Sequence, residues 1–209
     1  AQNDGDDQYV YLHITRGVAK RDHAFPKDTP ATVFMMSNPL VTPPRELCET
    51  GVSAVSAIDT RWDRCDIKSV ALLGNVLLRQ EAQDKGASEA LLVRDGQLME
   101  GSSSTVFIVT RGVLATPPNS HHILPGTSRD AIVDLAKDWR PVESRPIAMS
   151  ELDTCDEVWI ASAGRGVLPV TRVDGRPVGD GKPGRAWQAM HARLQRHLDD
   201  IAGTPALAP

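Results

Sequence analysis

Four places in the sequence carry residue types that could do chemistry together. Lys68, in RCDIKSVALLGN, stands between a strand-like segment and an apolar helix-like one. A lysine beside an apolar wall has its ammonium form destabilised, which frees the amine to form a Schiff base. Glu100, in MEGSSSTVF, is a carboxylate at a strand end followed by a glycine and three serines. It could pair with a protonated ring nitrogen while the serines hydrogen-bond nearby. Gly126-Thr127-Ser128 opens a helix-like stretch, where unpaired backbone N–H groups, two hydroxyls and the helix dipole favour a phosphate. Arg21-x-His23 puts two cations at alternate positions of an extended loop, so that both could clamp one carboxylate.

Each feature has a plainer reading by itself: a solvated lysine at a helix start, a polar turn before a strand, an ordinary helix N-cap, a solvated basic loop. As a set they supply an amine nucleophile, a ring-nitrogen partner, a phosphate cup and a carboxylate clamp. Those are the needs of pyridoxal 5'-phosphate acting on an amino acid. Other motifs fall away. GDGKPG, Gly179 to Gly184, has Pro183 where a P-loop requires Ser or Thr and reads as a turn. The GRG at Gly164 to Gly166 is no dinucleotide fingerprint. His121-His122 lacks a Cys or carboxylate at ligand spacing and reads as a surface loop, so no metal site is expected.

The elements that must position these residues follow from periodicity. Strands are predicted at Tyr9–Thr15, Thr32–Ser37 and Val52–Ile58, with a proline-rich linker around residues 38–45. Ser69–Gln83 is predicted as a helix that buries Val70, Leu73, Val76 and Leu77 on one face, with Gly86 as its stop. Hairpins are predicted at Asp95-Gly96 and Arg111-Gly112, flanked by Ala90–Arg94 with Leu98–Met99, and by Thr105–Val109 with Val113–Thr116. TSRDAIVDLAKDW is a helix with Ile132 and Leu135 inward, and Glu157–Ala161 and Val167–Val173 are strands, the latter turning at Asp174-Gly175. A closing helix, Arg185–Ile201, is amphipathic through Trp187, Met190, Leu194, Leu198 and Ile201. This mixture of hairpins and helices, without internal repeats, points to an α+β (mixed α/β) fold.

Composition bounds the rest. With 209 residues, 41% hydrophobic and 24% charged, the chain matches an ordinary globular protein and excludes disordered or collagen-like classes. A net charge of −4 gives no electrostatic footprint for nucleic acid or anionic lipid. Cys48, Cys65 and Cys155 are odd in number and form no CxxC pair, which fits a reduced, cytoplasmic chain. The longest apolar run, Val70 to Leu78, is broken by Gly74 and Asn75 and falls well short of the ~20 residues of a membrane helix. The N-terminal AQNDGDDQ is polar and acidic, hence no signal peptide is read there. It also lacks an initiator Met, which leaves a processed, truncated or partly represented chain as open readings.

RCDIKS-x-x-LLGNVL-x-x-QEA at Arg64 to Ala82, EGSSS at Glu100 to Ser104 and ILPGTSRD at Ile123 to Asp130 resemble fold-type IV pyridoxal-phosphate enzymes, most of all D-amino acid transaminases. TRG-x-x-x-R-x-H at Thr15 to His23 and the VDG…DGKPG tail at Val173 to Gly184 point the same way. The resemblance implies a large cofactor domain at residues 45–209. Residues 1–44 would be the C-terminal remnant of a small domain plus a linker. It implies that Lys68 is the Schiff-base lysine and proton shuttle, and that Glu100 holds the pyridine nitrogen protonated. Thr127, Ser128, Ser162 and Ala163 would surround the phosphate, with Leu124 against the ring. Arg21 and His23 would hold the substrate α-carboxylate across the interface of a homodimer. The implied reaction moves an amino group between a D-amino acid, D-alanine above all, and a 2-oxo acid such as 2-oxoglutarate.

Two departures from the family pattern stand out. No position matches the N-terminal tyrosine and arginine that family members place at substrate and phosphate. Ala163, Gly164, Arg165 and Gly166 stand where a run of hydroxyl residues is usual. The cup would lose hydroxyls but keep backbone N–H groups, with Arg165 compensating electrostatically. Alternatives on the same fold are a branched-chain aminotransferase, an aminodeoxychorismate lyase, or an inactive truncated cofactor-domain fragment.

Overall fold

Three two-residue turns set much of the architecture. Asp95-Gly96, Arg111-Gly112 and Asp174-Gly175 each place both central residues at positive φ, between 49° and 82°. That is the conformation that lets a tight hairpin follow the natural strand twist. A computed structural model describes residues 7–203 of the chain, so the reading of the acidic N-terminus lies largely outside the described residues. The chain divides into two compact units, Ala1–Thr42 and Pro43–Pro209.

In the first unit, β1 (Gln8–Thr15) and β2 (Thr32–Pro39) pair antiparallel, from Gln8 opposite Pro39 to Thr15 opposite Thr32. The loop between them begins at Gly17, where φ is +102° and an added Cβ would run into the Pro30 carbonyl. Arg16 stacks its guanidinium 3.6 Å above the Phe25 ring.

In the second unit, one nine-stranded mixed sheet runs β5-β4-β3-β10-β9-β6-β7-β8. Its strands are β3 (Val52–Ile58), β4 (Glu89–Arg94), β5 (Gln97–Gly101), β6 (Thr105–Thr110), β7 (Val113–Thr116), β8 (Val142–Ser144), β9 (Glu157–Ser162) and β10 (Gly166–Val173); the short β11 (Arg176–Pro177) pairs with β10. β3 pairs parallel with both β4 and β10, opposing Val55 to Ala90 and Val52 to Val170. Alternate residues feed two sides. Val106, Ile108, Val158, Ile160, Leu168 and Val170 build one core. Phe107, Trp159 and Ala161 pack instead beneath α3 (Thr127–Lys137) and α4 (Arg185–Ala202) through Ile132, Ala136, Trp187, Met190 and Leu194. A third cluster joins Leu78 and Ala82 of α2 (Leu73–Asp84) to Ala57, Ala90 and Leu92 of the strands below.

Several expectations need correction. The helix predicted from Ser69 starts only at Leu73, because the Ser69 hydroxyl accepts the Ala71 N–H and holds a local turn instead. Its buried residues are Leu78 and Ala82, whereas Val70, Leu73, Val76 and Leu77 are 58–72% exposed. Leu198 and Ile201 are likewise exposed, since the packed stripe of α4 ends at Leu194. Beyond the linker expected around residues 38–45, the six-residue helix α1 (Arg45–Thr50) follows Pro44 as its N-cap and is absent from the sequence expectations. Six residues are too few to show a helical period.

Glu157 holds the α4 N-terminus. Its carboxylate accepts the backbone N–H groups of Ala186 and Trp187 and the Trp159 indole N–H, at 2.8–2.9 Å. A Cβ at Gly184 would collide with that carboxylate. Glu157→Ala should therefore lower unfolding stability by about 1–3 kcal/mol, read from urea denaturation, and Gly184→Ala should do so too by displacing the same group.

Candidate active site

A cavity of about 620 Å³ opens in the second unit, and its wall is assembled from segments far apart in sequence. Lys68, Glu100, Leu124, Thr127, Ser128, Ser162 and Ala163 all line it. Lys68 is exposed to the cavity side of the segment before α2, and Ile67, Leu72 and Val76 supply apolar wall beside it. Val76, expected in the core, thus faces this space. The first turn of α3 contributes Thr127 and Ser128, with free N–H groups at its start and no side-chain cap on them. Gly126 leads into that turn closely over Thr105, 3.2 Å from the hydroxyl for any added Cβ.

Glu100 is 5% exposed and is not left alone. Arg61 donates to its Oε1 at 2.5 Å, and the Leu124 N–H approaches both oxygens at 3.3–3.4 Å. Arg61 in turn lies on Asp59 through two parallel hydrogen bonds of 2.9 and 3.0 Å, and Arg94 stands 3.4 Å from the same carboxylate. Burial pushes the Glu100 carboxyl up; Arg61 pulls it back, and the net displacement is upward. Asp59 also feels burial, but its hydrogen bonds to Arg61 outweigh it and hold it below the ordinary range. Arg61 is held firmly cationic by the two carboxylates.

A second buried carboxylate organises the serine loop. Glu89 is fully buried and accepts hydrogen bonds from the hydroxyls of Ser102, Ser103 and Ser104 and from Arg165 at 2.8 Å. The serines read as ring-side donors therefore spend their hydroxyl protons on Glu89. Asn75 of α2 ties the same loop by donating to the Ser102 carbonyl at 2.8 Å.

Arg21 and His23 lie in the first unit, and both are exposed. The loop bends at each of them, and the His23 N–H is bonded to the Asp22 carboxylate at 2.6 Å, so it is not the extended segment expected. His121 and His122 lie against each other with ring centroids 3.9 Å apart and planes tilted by 51°. Among the described residues no group of three metal-ligating side chains forms, and no helix is long and apolar enough to cross a membrane.

Sequence reading missed Asp59, Arg61 and Glu89. The available signal was a charge inside an apolar run: Glu89 heads EALLV, and Asp59 and Arg61 closely follow VSAVSAI. Charged groups there are buried only when paired.

The chain matches the family model described as amino-transferase class IV over residues 1–173. A D-alanine aminotransferase of Bacillus licheniformis is 38% identical over 197 residues, 94% of this chain and 69% of that protein. One from Staphylococcus aureus (strain COL) is 36% identical over 191 residues, covering 91% and 68%. The fold matches a branched-chain amino acid aminotransferase of Escherichia coli with a TM-score of 0.80 at 26% identity, covering 95% of this chain and 67% of that one. A second branched-chain enzyme, from the archaeon Thermoproteus uzoniensis, gives 0.76 at 26% identity, covering 90% and 64%. The chain belongs to the class IV aminotransferases, a family of pyridoxal-phosphate-dependent transaminases, and spans about two thirds of the length of these relatives.

The depressed carboxyl of Glu89, lowered by its serine and arginine partners against the pull of burial, sets a pH dependence. A folded value below the unfolded ~4.3 makes its contribution complete above that pH and progressively lost as pH falls through the folded value. Glu89→Gln should therefore flatten the loss of stability as pH falls below about 4.3, measured by denaturant titration at each pH.

Proposed function

We propose that this chain binds pyridoxal 5'-phosphate at Lys68 and moves amino groups between a D-amino acid, with D-alanine as donor, and a 2-oxo acid such as 2-oxoglutarate. The observation that carries the reading is that Lys68, Glu100 and the open helix start at Thr127–Ser128 line one cavity. The donor set fits the group: an amine, a buried carboxylate backed by an arginine, and unpaired N–H groups with two hydroxyls for a dianion. The names of the D-alanine aminotransferases support the donor.

When bound, pyridoxal phosphate supplies an electron sink that stabilises negative charge on the substrate α-carbon. The amine of Lys68 takes the α-proton and returns it to the neighbouring carbon as general base and then acid. Glu100 holds a proton at the ring nitrogen, and its upward displacement suits it to share one. Arg61 fixes which Glu100 oxygen is engaged, leaving the other for that contact. Thr127, Ser128, Ser162 and Ala163 orient the phosphate end, and Leu124 packs against the ring. Arg21 and His23 bind the substrate carboxylate across the interface of the homodimer.

The exposed apolar stripe of α2, Leu73 and Leu77, supports a homodimer, and the three free thiols support a reducing, cytoplasmic setting. Borohydride reduction in the presence of pyridoxal phosphate should fix the cofactor to Lys68, found by peptide mapping, and Lys68→Ala should lose turnover by about 10²–10⁴-fold. D-Alanine, L-leucine and aminodeoxychorismate are assayed separately. Turnover of L-leucine without D-alanine would select the branched-chain reading that the fold likeness favours; labelling without any turnover would select an incomplete catalytic fragment. Sedimentation at micromolar concentration should give a dimer, shifted to monomer in the Leu73→Asp/Leu77→Asp double variant.

A further inference from the structure

We propose that Arg165 is a positioning residue that holds the phosphate-facing wall of the cavity together; this rests on the pyridoxal-phosphate reading above. Arg165 sits in the turn between β9 and β10, where Ser162 opposes Gly166. That turn has little packing of its own. Ala163 and Gly164 are exposed, a Cβ at Gly164 would meet nothing within 4 Å, and Gly166 adopts φ +61°. Among the described residues, the side-chain hydrogen bonds of the turn are the two made by Arg165. Its Nη2 donates to Glu89 Oε2 at 2.8 Å and to Ser103 Oγ at 2.9 Å.

The receiving end is rigid. Glu89 is buried at the head of β4, and all three serines of the β5–β6 loop converge on its carboxylate. A Cβ at Gly101 would strike the Ser104 hydroxyl and press on Glu89, so the loop is wound tightly around this one group. Ser162 and Ala163 line the cavity from the β9–β10 pair, and Ser102, Ser103 and Ser104 line it from the β5–β6 connection. Among the described residues, the bonds of Arg165 to Glu89 and to Ser103 are the side-chain links between these two stretches of wall. The arginine therefore acts through geometry: it stops a glycine-flanked turn from swinging away and keeps the Ser162–Ala163 backbone aimed inward. Arg165 does not line the cavity and its charge is largely answered by Glu89, so direct attraction of a phosphate would be the lesser effect.

The role predicts a dependence on the phosphate group. Affinity for pyridoxal 5'-phosphate and for pyridoxal, which lacks the phosphate, is measured by absorbance titration on the wild-type chain, R165K and R165A. Borohydride mapping at Lys68 is run in parallel. R165A should bind pyridoxal phosphate about tenfold more weakly, as for loss of one charge-assisted hydrogen bond, with pyridoxal affinity changed by less than about twofold on the same scale. R165K, which keeps a cation able to reach Glu89, should fall between. Equal affinity for pyridoxal phosphate in R165A and wild type overturns the proposal, as does an equal loss for both ligands, which marks general loosening of the cavity. If wild type labels at Lys68 while R165A shows either result, only the role of Arg165 fails; if wild type neither labels nor binds, the cofactor reading fails with it.

Discussion

A carboxylate in a cavity wall persists only where charge and hydrogen bonds replace the water it has lost. Glu100 depends on Arg61 for both. Arg61 is in turn gripped by Asp59, Asp59 is approached by Arg94, and Arg94 reaches the exposed Asp63 at 2.6 Å. Charges of alternating sign thus run from the cavity to solvent. Removing an inner member would leave an unpaired buried charge, so the row stands or falls together. Its members come from the chain just past β3, the end of β4 and the end of β5. Parallel pairing sets the ends of β3 and β4 side by side, while β5 runs antiparallel and ends opposite Leu91, so the Arg61 side chain spans the remaining distance to Glu100.

Glu89 solves the same problem with different partners. Three short hydroxyls do most of the hydrogen bonding and one arginine supplies the opposite charge. The two solutions divide the labour of the cavity. Glu100 keeps its approach to the open space and a raised proton affinity, while Glu89 is saturated and held ionised. The two carboxylates differ in how completely their oxygens are occupied: the raised one lines the cavity, and the depressed one holds a loop.

Much of this fold is legible in the residues because it is local. Asp95-Gly96, Arg111-Gly112 and Asp174-Gly175 announce hairpin turns through residues able to take positive φ, and the strands around them follow within a residue or two. The α2 stripe was misread for a physical reason. Periodicity reports that Val70, Leu73, Val76 and Leu77 share apolar character, but it does not say whether the covering surface belongs to the same chain. The site shows the same division. Lys68, Glu100 and Thr127–Ser128 are visible from type and spacing. Arg61 and Glu89 find Glu100, the three serines and Arg165 only through the fold, and those partners lie outside any local window, although the Asp59–Arg61 pair itself is local.

The parallel pairing of β3 with β10 has a consequence for synthesis. Val52 must wait for Val170, over a hundred residues further along, before the sheet is continuous. Until then the β3-β4-β5 part and the strands that follow are separate pieces, and the facing edge of β3 stays open. During translation that edge stays open while the more than one hundred residues between the two strands are made. Long-range parallel closure of this kind is slow because loop entropy is lost before contacts compensate. The nascent protein therefore passes through an interval in which an unpaired, apolar strand is available to chaperones or to neighbouring chains.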